Sequence, residues 1–458
     1  MSVTALNAEP HYMRNRPCFP EKTKKGARLM KFHLVKELKS FFILWLTQSL
    51  SALGSTMTGF ALIIVLYKSS GSALTTALLS VCSYAPYVLM SIFAGALSDR
   101  WDKKATMLVC DSFAAVCTIV TLVLLKTGGL EPWHLYVLNA LNGLMNTVQQ
   151  PASEVAATLL TPEKYYQKTS GMRSFSNSLV TILTPAIATA VMSFWGVEAV
   201  IAIDLATFAA AFFALLLFIR IPEVPKKKDG GESVLAAAKS GLVWLKNNRT
   251  ILLLILFLAA INLIASIYDA ALPAMLLSRK NGGETVLGAV NTCVGIASLA
   301  GSVIVTFLPE PKSGRSRLKV ICNTLLISMS TENFLLAFGR TPLVWCIGAV
   351  LGWLSIPVMN ANMDVIFRSG IPAEMQGRVY SARNTLQFFT IPAGFFLGGI
   401  LVDKVFEPLI AGLPADSLAV TVFGGEKGAG AALLFFVIGI AGVAVCLIFR
   451  RLILRLKD

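Results

Sequence analysis

Charged residues are scarce in this sequence. Asp, Glu, Lys and Arg make up 14% of its 458 residues, whereas a soluble globular chain carries about 25%. Hydrophobic residues make up 55%, and the mean hydropathy is +0.69. These values argue against a soluble multidomain protein and are typical of a chain that is solvated mostly by lipid.

The residues that build metal and catalytic sites are also scarce. The three histidines, His11, His33 and His134, lie far apart, and the eight cysteines include no CxxC pair, so the spacings of zinc and haem sites are missing. The sequence has no GxxxxGK[ST] loop to hold the phosphates of ATP. No Ser-His-Asp or Cys-His grouping suggests hydrolysis. We therefore predict a protein that is not an enzyme and has no catalytic residues, no metal site and no cofactor.

Long apolar runs dominate the sequence instead. A membrane-spanning helix needs about 20 apolar residues, and twelve runs of that kind follow one another along the chain. They are Phe41–Tyr67, Leu74–Leu97, Ala105–Leu125, Trp133–Leu159, Ser174–Phe194, Gly196–Ile219, Ile251–Leu277, Val286–Leu308, Leu318–Phe338, Pro342–Phe367, Val379–Val402 and Ala429–Ile448. The runs lack the alternation of barrel strands, and only helices or closed barrels satisfy the backbone in lipid. An all-α integral membrane fold with twelve transmembrane helices is predicted.

The fifth and eleventh runs resemble each other. The segments GMRSFSNSLVTILTPAIATA, from Gly171, and RVYSARNTLQFFTIPAGFFL, from Arg378, share five identities in twenty positions without a gap. This similarity predicts two pseudo-symmetric six-helix halves, residues 41–219 and 250–450. Residues 1–40 form a basic N-terminal segment, 220–249 a linker and 451–458 a tail, all predicted to be cytoplasmic. Parallel halves of this kind are a transporter architecture, with the substrate site between them near the bilayer midplane.

The basic residues predict the orientation of the chain. Cytoplasmic loops carry an excess of Lys and Arg. With the N-terminus inside, the inner segments hold 31 of these residues and the outer loops hold 7. The protein is therefore predicted to lie in the cell membrane, with both termini in the cytoplasm. The net charge of +15 reflects this topology, and because it is spread over small loops it does not indicate nucleic-acid binding.

One short inner loop concentrates charge between two apolar runs. The stretch GALSDRWDKK fits the pattern G-x-x-x-D-R-x-x-[KR]-[KR], with Gly95, Asp99, Arg100, Lys103 and Lys104 at the defined positions. This pattern resembles the loop signature of the major facilitator superfamily. The resemblance implies that Asp99 and the basic residues lock the inner gate to the other half in the outward-open state. Glu154, near the inner end of the fourth run, is a candidate partner of Arg100 or Lys103 in that gate.

Three stretches narrow the resemblance within the superfamily. SDRWDKK, VIAIDLATFAAAFFALLLFIRIPE and IPAEMQGRVYSARN are similar to sequences of the bacterial macrolide-efflux branch of the drug:proton antiporters. The resemblance implies a monomeric secondary transporter that exports amphipathic drugs such as macrolides in exchange for protons, by alternating access. A lysolipid flippase or a siderophore exporter on the same fold is an alternative. A receptor or scaffold without transport is an alternative of another class.

Two acidic residues inside apolar runs are candidates for proton coupling, because ionisable groups within the membrane are costly and usually functional. Asp269 lies four residues before Pro273, which cannot donate to the Asp269 carbonyl, so the backbone is opened at the acidic residue. A carboxylate held there could exchange a proton for a cationic drug. The alternative is that Asp269, in the outer half of its run, faces outer water beside Arg279 and Lys280. Asp204 is the second candidate, with a buried hydrogen-bonded acid as its alternative.

The substrate cavity of such a transporter is expected to be apolar and aromatic, with few polar groups. Eight residues on runs that line the cavity in the superfamily are candidates, with packing or contact to lipid as the alternative for each. They are Met57, Phe60, Asn142, Asn262, Trp353, Asn360, Gln387 and Phe388. Glu332 is predicted to lie near the outer surface, without a functional role.

Overall fold

A computed structural model describes residues 37–222, 234–372 and 376–455. All regular elements in these ranges are helical. They are α1 Lys39–Ser70, α2 Ala73–Arg100, α3 Lys103–Lys126, α4 Pro132–Leu159, α5 Tyr166–Phe218, α6 Val234–Asn247, α7 Arg249–Ser278, α8 Glu284–Phe307, α9 Gly314–Phe338, α10 Pro342–Trp353, α11 Ile356–Gly370, α12 Gln376–Phe388, α13 Thr390–Ile400, α14 Glu407–Ala411, α15 Leu418–Phe423 and α16 Ala429–Arg455. A 3₁₀ turn spans Glu163–Tyr165, and a π-helical turn spans Leu401–Phe406.

The predicted twelve spans are confirmed, although they do not map one to one onto helices. Within the described residues, ten helical segments are long and apolar enough to cross a membrane. One of them belongs to α5, whose 53 residues contain two predicted runs. Gly196 separates the two arms of α5 with φ 81° and ψ 176°, a backbone conformation that favours glycine. The more polar α4 supplies a further span of 28 residues, while α10 with α11, and α12 with α13, each form one.

Glycines let the helices of each half approach closely. In the first half, Gly143 of α4 lies against the backbone of Ser83 in α2. In the second half, Gly442 of α16 packs on Met329 of α9. Small residues serve this purpose in membranes because lipid is as apolar as the helix surface and close packing drives association. The helix α6 lies within the predicted linker between the halves.

Two similar contacts join helix ends at the end of the bundle where α1 begins and α16 ends. We call this end the termini end. Lys104 Nζ at the start of α3 donates to the carbonyls of Leu216 and Ile219 at 2.9 and 2.7 Å. In the second half, Arg315 Nη2 at the start of α9 donates to the carbonyl of Leu454 at 3.0 Å. Each cation thus satisfies C-terminal carbonyls of the last helix of its own half, which have no intrahelical donor.

The two halves contact each other at the opposite end, which we call the far end. The Tyr67 hydroxyl of α1 donates to the Ala274 carbonyl at 3.1 Å and lies 2.7 Å from Ser278 Oγ, both in α7. Gly399 of α13 packs against Leu74 of α2. The described residues therefore close the far end of the interface between the halves.

A third pair of helices completes the closure. Gly295 of α8 lies against the backbone of Ile182 in α5, and Gly288, two turns earlier, lies against Thr189. Both contacts join the first half to the second. Because the two glycines add no side chain of their own, α8 approaches α5 closely at Ile182 and Thr189.

Candidate functional site

A cavity of about 180 Å³ lies between the halves, next to the far-end contacts. The helices α1, α2, α7, α8 and α13 line it, with Phe60, Ser80, Asp269, Asn291 and Phe395 among the side chains that they contribute. Its walls are mostly apolar, and a carboxylate, an amide and hydroxyl groups are the polar exceptions. Since both halves contribute, the cavity has the position expected of a substrate site in a two-half transporter.

Asp269 is exposed to this cavity although its helix is mostly buried. Its neighbours Tyr268 and Ala270 are only 6% and 3% exposed, whereas Asp269 itself is exposed and lines the cavity. It lies nine residues before the end of α7, about 14 Å from the far end at 1.5 Å per residue. Within the described residues it forms no ion pair. Its carboxylate is thus available to a ligand in the cavity.

The residues around Asp269 explain how it is positioned. Pro273 lies inside α7 and leaves the carbonyl of Asp269 without its usual helical donor. Across the interface, Tyr84 of α2 stacks on Phe395 of α13, with ring centroids 6.0 Å apart. Arg279, ten residues further along the chain, lies 3.8 Å from Glu426.

Asp204, the second coupling candidate, lies elsewhere. It is 4% exposed, and the Ser55 hydroxyl of α1 donates to its Oδ1 at 2.9 Å. Gly54 lets α1 approach the backbone of Asp204. Asp204 is therefore a hydrogen-bonded acid between α1 and α5 in the first half, away from the cavity that holds Asp269.

Three of the predicted cavity residues have clear positions. Phe60 lines the cavity. Met57 is 1% exposed and packs with Ala188 and Val191 inside the first half. The Trp353 indole N–H donates to Glu332 within the second half.

Of the other five candidates, Asn262 lies on α7, which lines the cavity, and the others lie on α4, α11 and α12. None of the five is among the described residues that line the cavity. Asn262 Nδ2 donates to the carbonyl of Gln387 at 3.2 Å, which ties α7 to α12. Asn142 and Phe388 are half-buried, and Asn360 is exposed.

The loop motif is partly described. Gly95, Asp99 and Arg100 belong to the last turns of α2, but their side chains lie outside the part of the chain that the structure describes. Lys103 is buried at 7% exposure. With the far end closed, the amine of Lys104 binds the C-terminal carbonyls of α5, where a cation is favoured by the helix dipole.

Glu154 lies near a basic residue of α5. Its Oε1 lies 4.0 Å from Arg173 Nη2, and both side chains are largely exposed. An exposed pair at this distance contributes at most about 1 kcal/mol. This described ion pair joins α4 to α5 within the first half.

Comparison with known proteins decides the family. The family model of the Major Facilitator Superfamily matches residues 44–395. The chain belongs to this superfamily. Macrolide efflux protein A of Streptococcus pyogenes is 23% identical over 366 residues, 80% of this chain and 90% of that protein. The multidrug efflux pump Tap of Mycolicibacterium fortuitum is 24% identical over 81% of this chain and 88% of the pump.

More distant matches agree on the architecture. The Staphyloferrin A transporter of Staphylococcus aureus is 20% identical over 84% of this chain and 90% of the transporter. Among solved structures, a mutant form of the nucleoside transporter NupG superposes with a TM-score of 0.68 at 14% identity, over 90% of this chain and 99% of that one. The protein is therefore a multi-pass membrane transporter of the superfamily.

Sequence reasoning missed the environment of Glu332 in this superfamily member. The residue is 5% exposed in α9, and Trp353 Nε1 donates to its Oε1 at 3.0 Å. Gly352 of α10 lies directly against the carboxylate and leaves the space that it occupies. The pair Gly348 and Gly352, one turn apart, is the sequence signal that could have indicated a close approach of α10 to α9.

The role of the Trp353 bond can be measured by two substitutions. We expect Glu332→Leu to lower the free energy of unfolding by about 1–3 kcal/mol, because the indole N–H loses its acceptor in a largely buried place. Glu332→Gln retains an oxygen at the same position, so its cost should stay below about 1 kcal/mol. Unfolding in detergent, followed for both variants and the parent protein, gives the difference. Equal losses in the two variants would show that the bond to Trp353 is not what stabilises this site.

Proposed function

We propose that this transporter exports amphipathic, cationic compounds such as macrolides in exchange for protons. The observation that carries the proposal is the carboxylate of Asp269, exposed in an otherwise mostly apolar cavity between the halves. The efflux functions in the names of the relatives support it. An apolar cavity with few polar groups suits an amphipathic ligand, and one carboxylate suits its positive charge.

Exchange follows from competition at Asp269. A carboxylate withdrawn from bulk water can bind either a proton or a ligand cation, because the charged form is costly to leave unpaired there. Proton binding at Asp269 would release the cation, and loss of the proton would restore the site. If the site is open to one side of the membrane at a time, each cycle moves the two in opposite directions.

Orientation and gating form part of the same proposal. The excess of Lys and Arg in the segments at the termini end supports a cytoplasmic location of that end. We further propose that the protein acts as a monomer in the cell membrane. The far end, closed in the structure, would then face outwards. The loop motif with Asp99, Arg100 and Lys103 would hold the termini end closed when the far end opens.

The proposal is tested in inverted membrane vesicles that contain the transporter. A proton gradient is established and followed with a pH-sensitive dye while macrolides, lysolipids and siderophores are added one at a time. We expect cationic macrolides to dissipate the gradient, and vesicles without the protein to show no such response. A response to anionic siderophores or to lysolipids alone would replace the proposed substrate, and no response to any compound would contradict proton exchange.

A further inference from the structure

The far end holds a second acidic residue that joins the halves, Asp403. It lies in the π-helical turn Leu401–Phe406 at the end of the eleventh span. Its Oδ1 accepts the backbone N–H of Ala73 at 3.0 Å, and its Oδ2 accepts the N–H of Leu74 at 2.9 Å and the Ser72 hydroxyl at 2.6 Å. All three donors belong to the start of α2, 329 to 331 residues away and in the other half.

This arrangement is a favourable one for a carboxylate. The first N–H groups of a helix have no intrahelical acceptor, and the N-terminus of the helix dipole is positive. Hydrogen bonds to an ionised acceptor are shorter and stronger than those between neutral groups. Ser72 also accepts the N–H of Thr75 at 3.1 Å, so the carboxylate and the Ser72 hydroxyl together cap the first turn of α2.

The local backbone brings Asp403 to this position. Gly399, one turn before it, packs directly on Leu74, which lets the end of the eleventh span approach the start of α2. The π-helical turn then adds a residue to the helical repeat, a feature that is rare and often found at functional sites. The close approach and the turn together aim the Asp403 carboxylate along the axis of α2.

We infer that Asp403 is a gate residue of the transporter, which holds the far end closed by binding the N-terminus of α2. The far end cannot open unless these three bonds break, because they join the halves at the same end as the contacts of Tyr67 with α7. Lys427 Nζ adds a bond of 3.0 Å to the carbonyl of Gly71, also between the halves. The inference concerns the transport cycle and does not depend on the proposed substrate or on proton exchange.

A matched control lies one turn further on. Glu407 Oε1 accepts the N–H groups of Gly428 and Ala431 at 3.0 and 3.1 Å, at the start of α16. Like Asp403, it binds the N-terminus of a helix at the far end. Unlike Asp403, it binds a helix of its own half, so its bonds need not break when the halves separate.

Hydrogen–deuterium exchange of the full-length protein tests the inference. We expect Asp403→Asn to accelerate amide exchange by about tenfold or more in far-end peptides that do not touch Asp403, namely residues 180–192 of α5 and 284–297 of α8, as the population with an open far end rises. Tenfold corresponds to about 1.4 kcal/mol. Glu407→Gln should accelerate exchange at residues 426–434 only.

The outcomes separate a gate from a local cap. If exchange in Asp403→Asn rises at the start of α2 alone, Asp403 is a helix cap and the inference is wrong. If Asp403→Asn does not fold, Ser72→Ala provides the milder test, since it removes one of the three bonds. A smaller acceleration in the same α5 and α8 peptides supports the gate, and unchanged exchange there contradicts it.

Discussion

Replacing Asp269 by Asn is expected to abolish proton flux driven by a cationic substrate, while binding of that substrate is retained at reduced affinity. Asn has nearly the shape of Asp, so the cavity between α7 and α13 should keep its form. It can neither bind nor release a proton near neutral pH, and therefore it cannot exchange a proton for a ligand. The measurement is the rate at which a macrolide dissipates a proton gradient in inverted vesicles.

Two other acids serve as controls for Asp269. Glu198, exposed on the second arm of α5, is away from the cavity, and Glu198→Gln should leave the flux unchanged. Asp204→Asn is informative in a different way, because Asp204 is buried and bonded to Ser55. We expect it to affect stability more than coupling. If Asp269→Asn shows normal flux at every pH between about 6 and 8 and Asp204→Asn loses flux, the coupling residue is Asp204 in the first half and not Asp269.

The second large effect is expected from Gly295→Ala. A Cβ at this position would lie 2.7 Å from Ile182 Cγ1 and 2.9 Å from Ile182 Cα. Backbone atoms cannot move aside as the end of a flexible side chain can, so α8 and α5 must separate. Overpacking of this kind costs about 1–3 kcal/mol. That cost falls on the state in which α5 and α8 are in contact, and it would shift the balance between the two states about 5- to 150-fold.

Transport and folding should respond differently in this variant. We expect Gly295→Ala to lose most transport while its amount in the membrane stays near that of the parent protein. Gly59→Ala is the control, because a Cβ at position 59 would meet no atom within 4 Å and the change shares the helix-stabilising effect of alanine, about 1 kcal/mol. Normal transport by Gly295→Ala would show that the backbone contact between α5 and α8 is not required to close the far end.

The helical architecture could be predicted from the sequence, and the reason is the length and composition of the apolar runs. Even the 53-residue helix α5 agrees with two predicted runs, because Gly196 stands at the boundary between them. The depth of Asp269 could be predicted in the same way, since each residue advances a helix by about 1.5 Å. Depth, together with the superfamily resemblance, was enough to suggest a place near the cavity.

The direction of each side chain could not be predicted. A membrane helix is apolar on the side that faces lipid and on the side that faces other helices, so its sequence has little periodicity from which to infer the buried side. Met57 is an example: the sequence leaves open whether it lines the cavity or packs, and in the structure it packs inside the first half. Glu332 and Trp353 lie on different helices and meet only when α9 and α10 pack.

The contacts of Asp403 at the far end could not be predicted from the sequence for a related reason. The Asp403 carboxylate and its donors on α2 are separated by 329 to 331 residues, and no local pattern connects them. Lys104 is a second example, because the motif does not indicate the carbonyls of its own half that it binds in the structure. Partners of charged groups depend on which helix ends meet, and the fold determines that.

The turn at Gly196 also determines which surfaces of the far end another protein can bind. A single residue joins the fifth and sixth spans there, so this part of the first half offers almost no surface for an antibody or a protease. The corresponding connection of the second half, residues 401–428, contains the short helices α14 and α15, and Arg340 Nη2 holds it by a bond of 3.1 Å to the carbonyl of Val422. A binder selected against the far end would therefore recognise mainly the second half, next to Asp403, and could trap the transporter in one state.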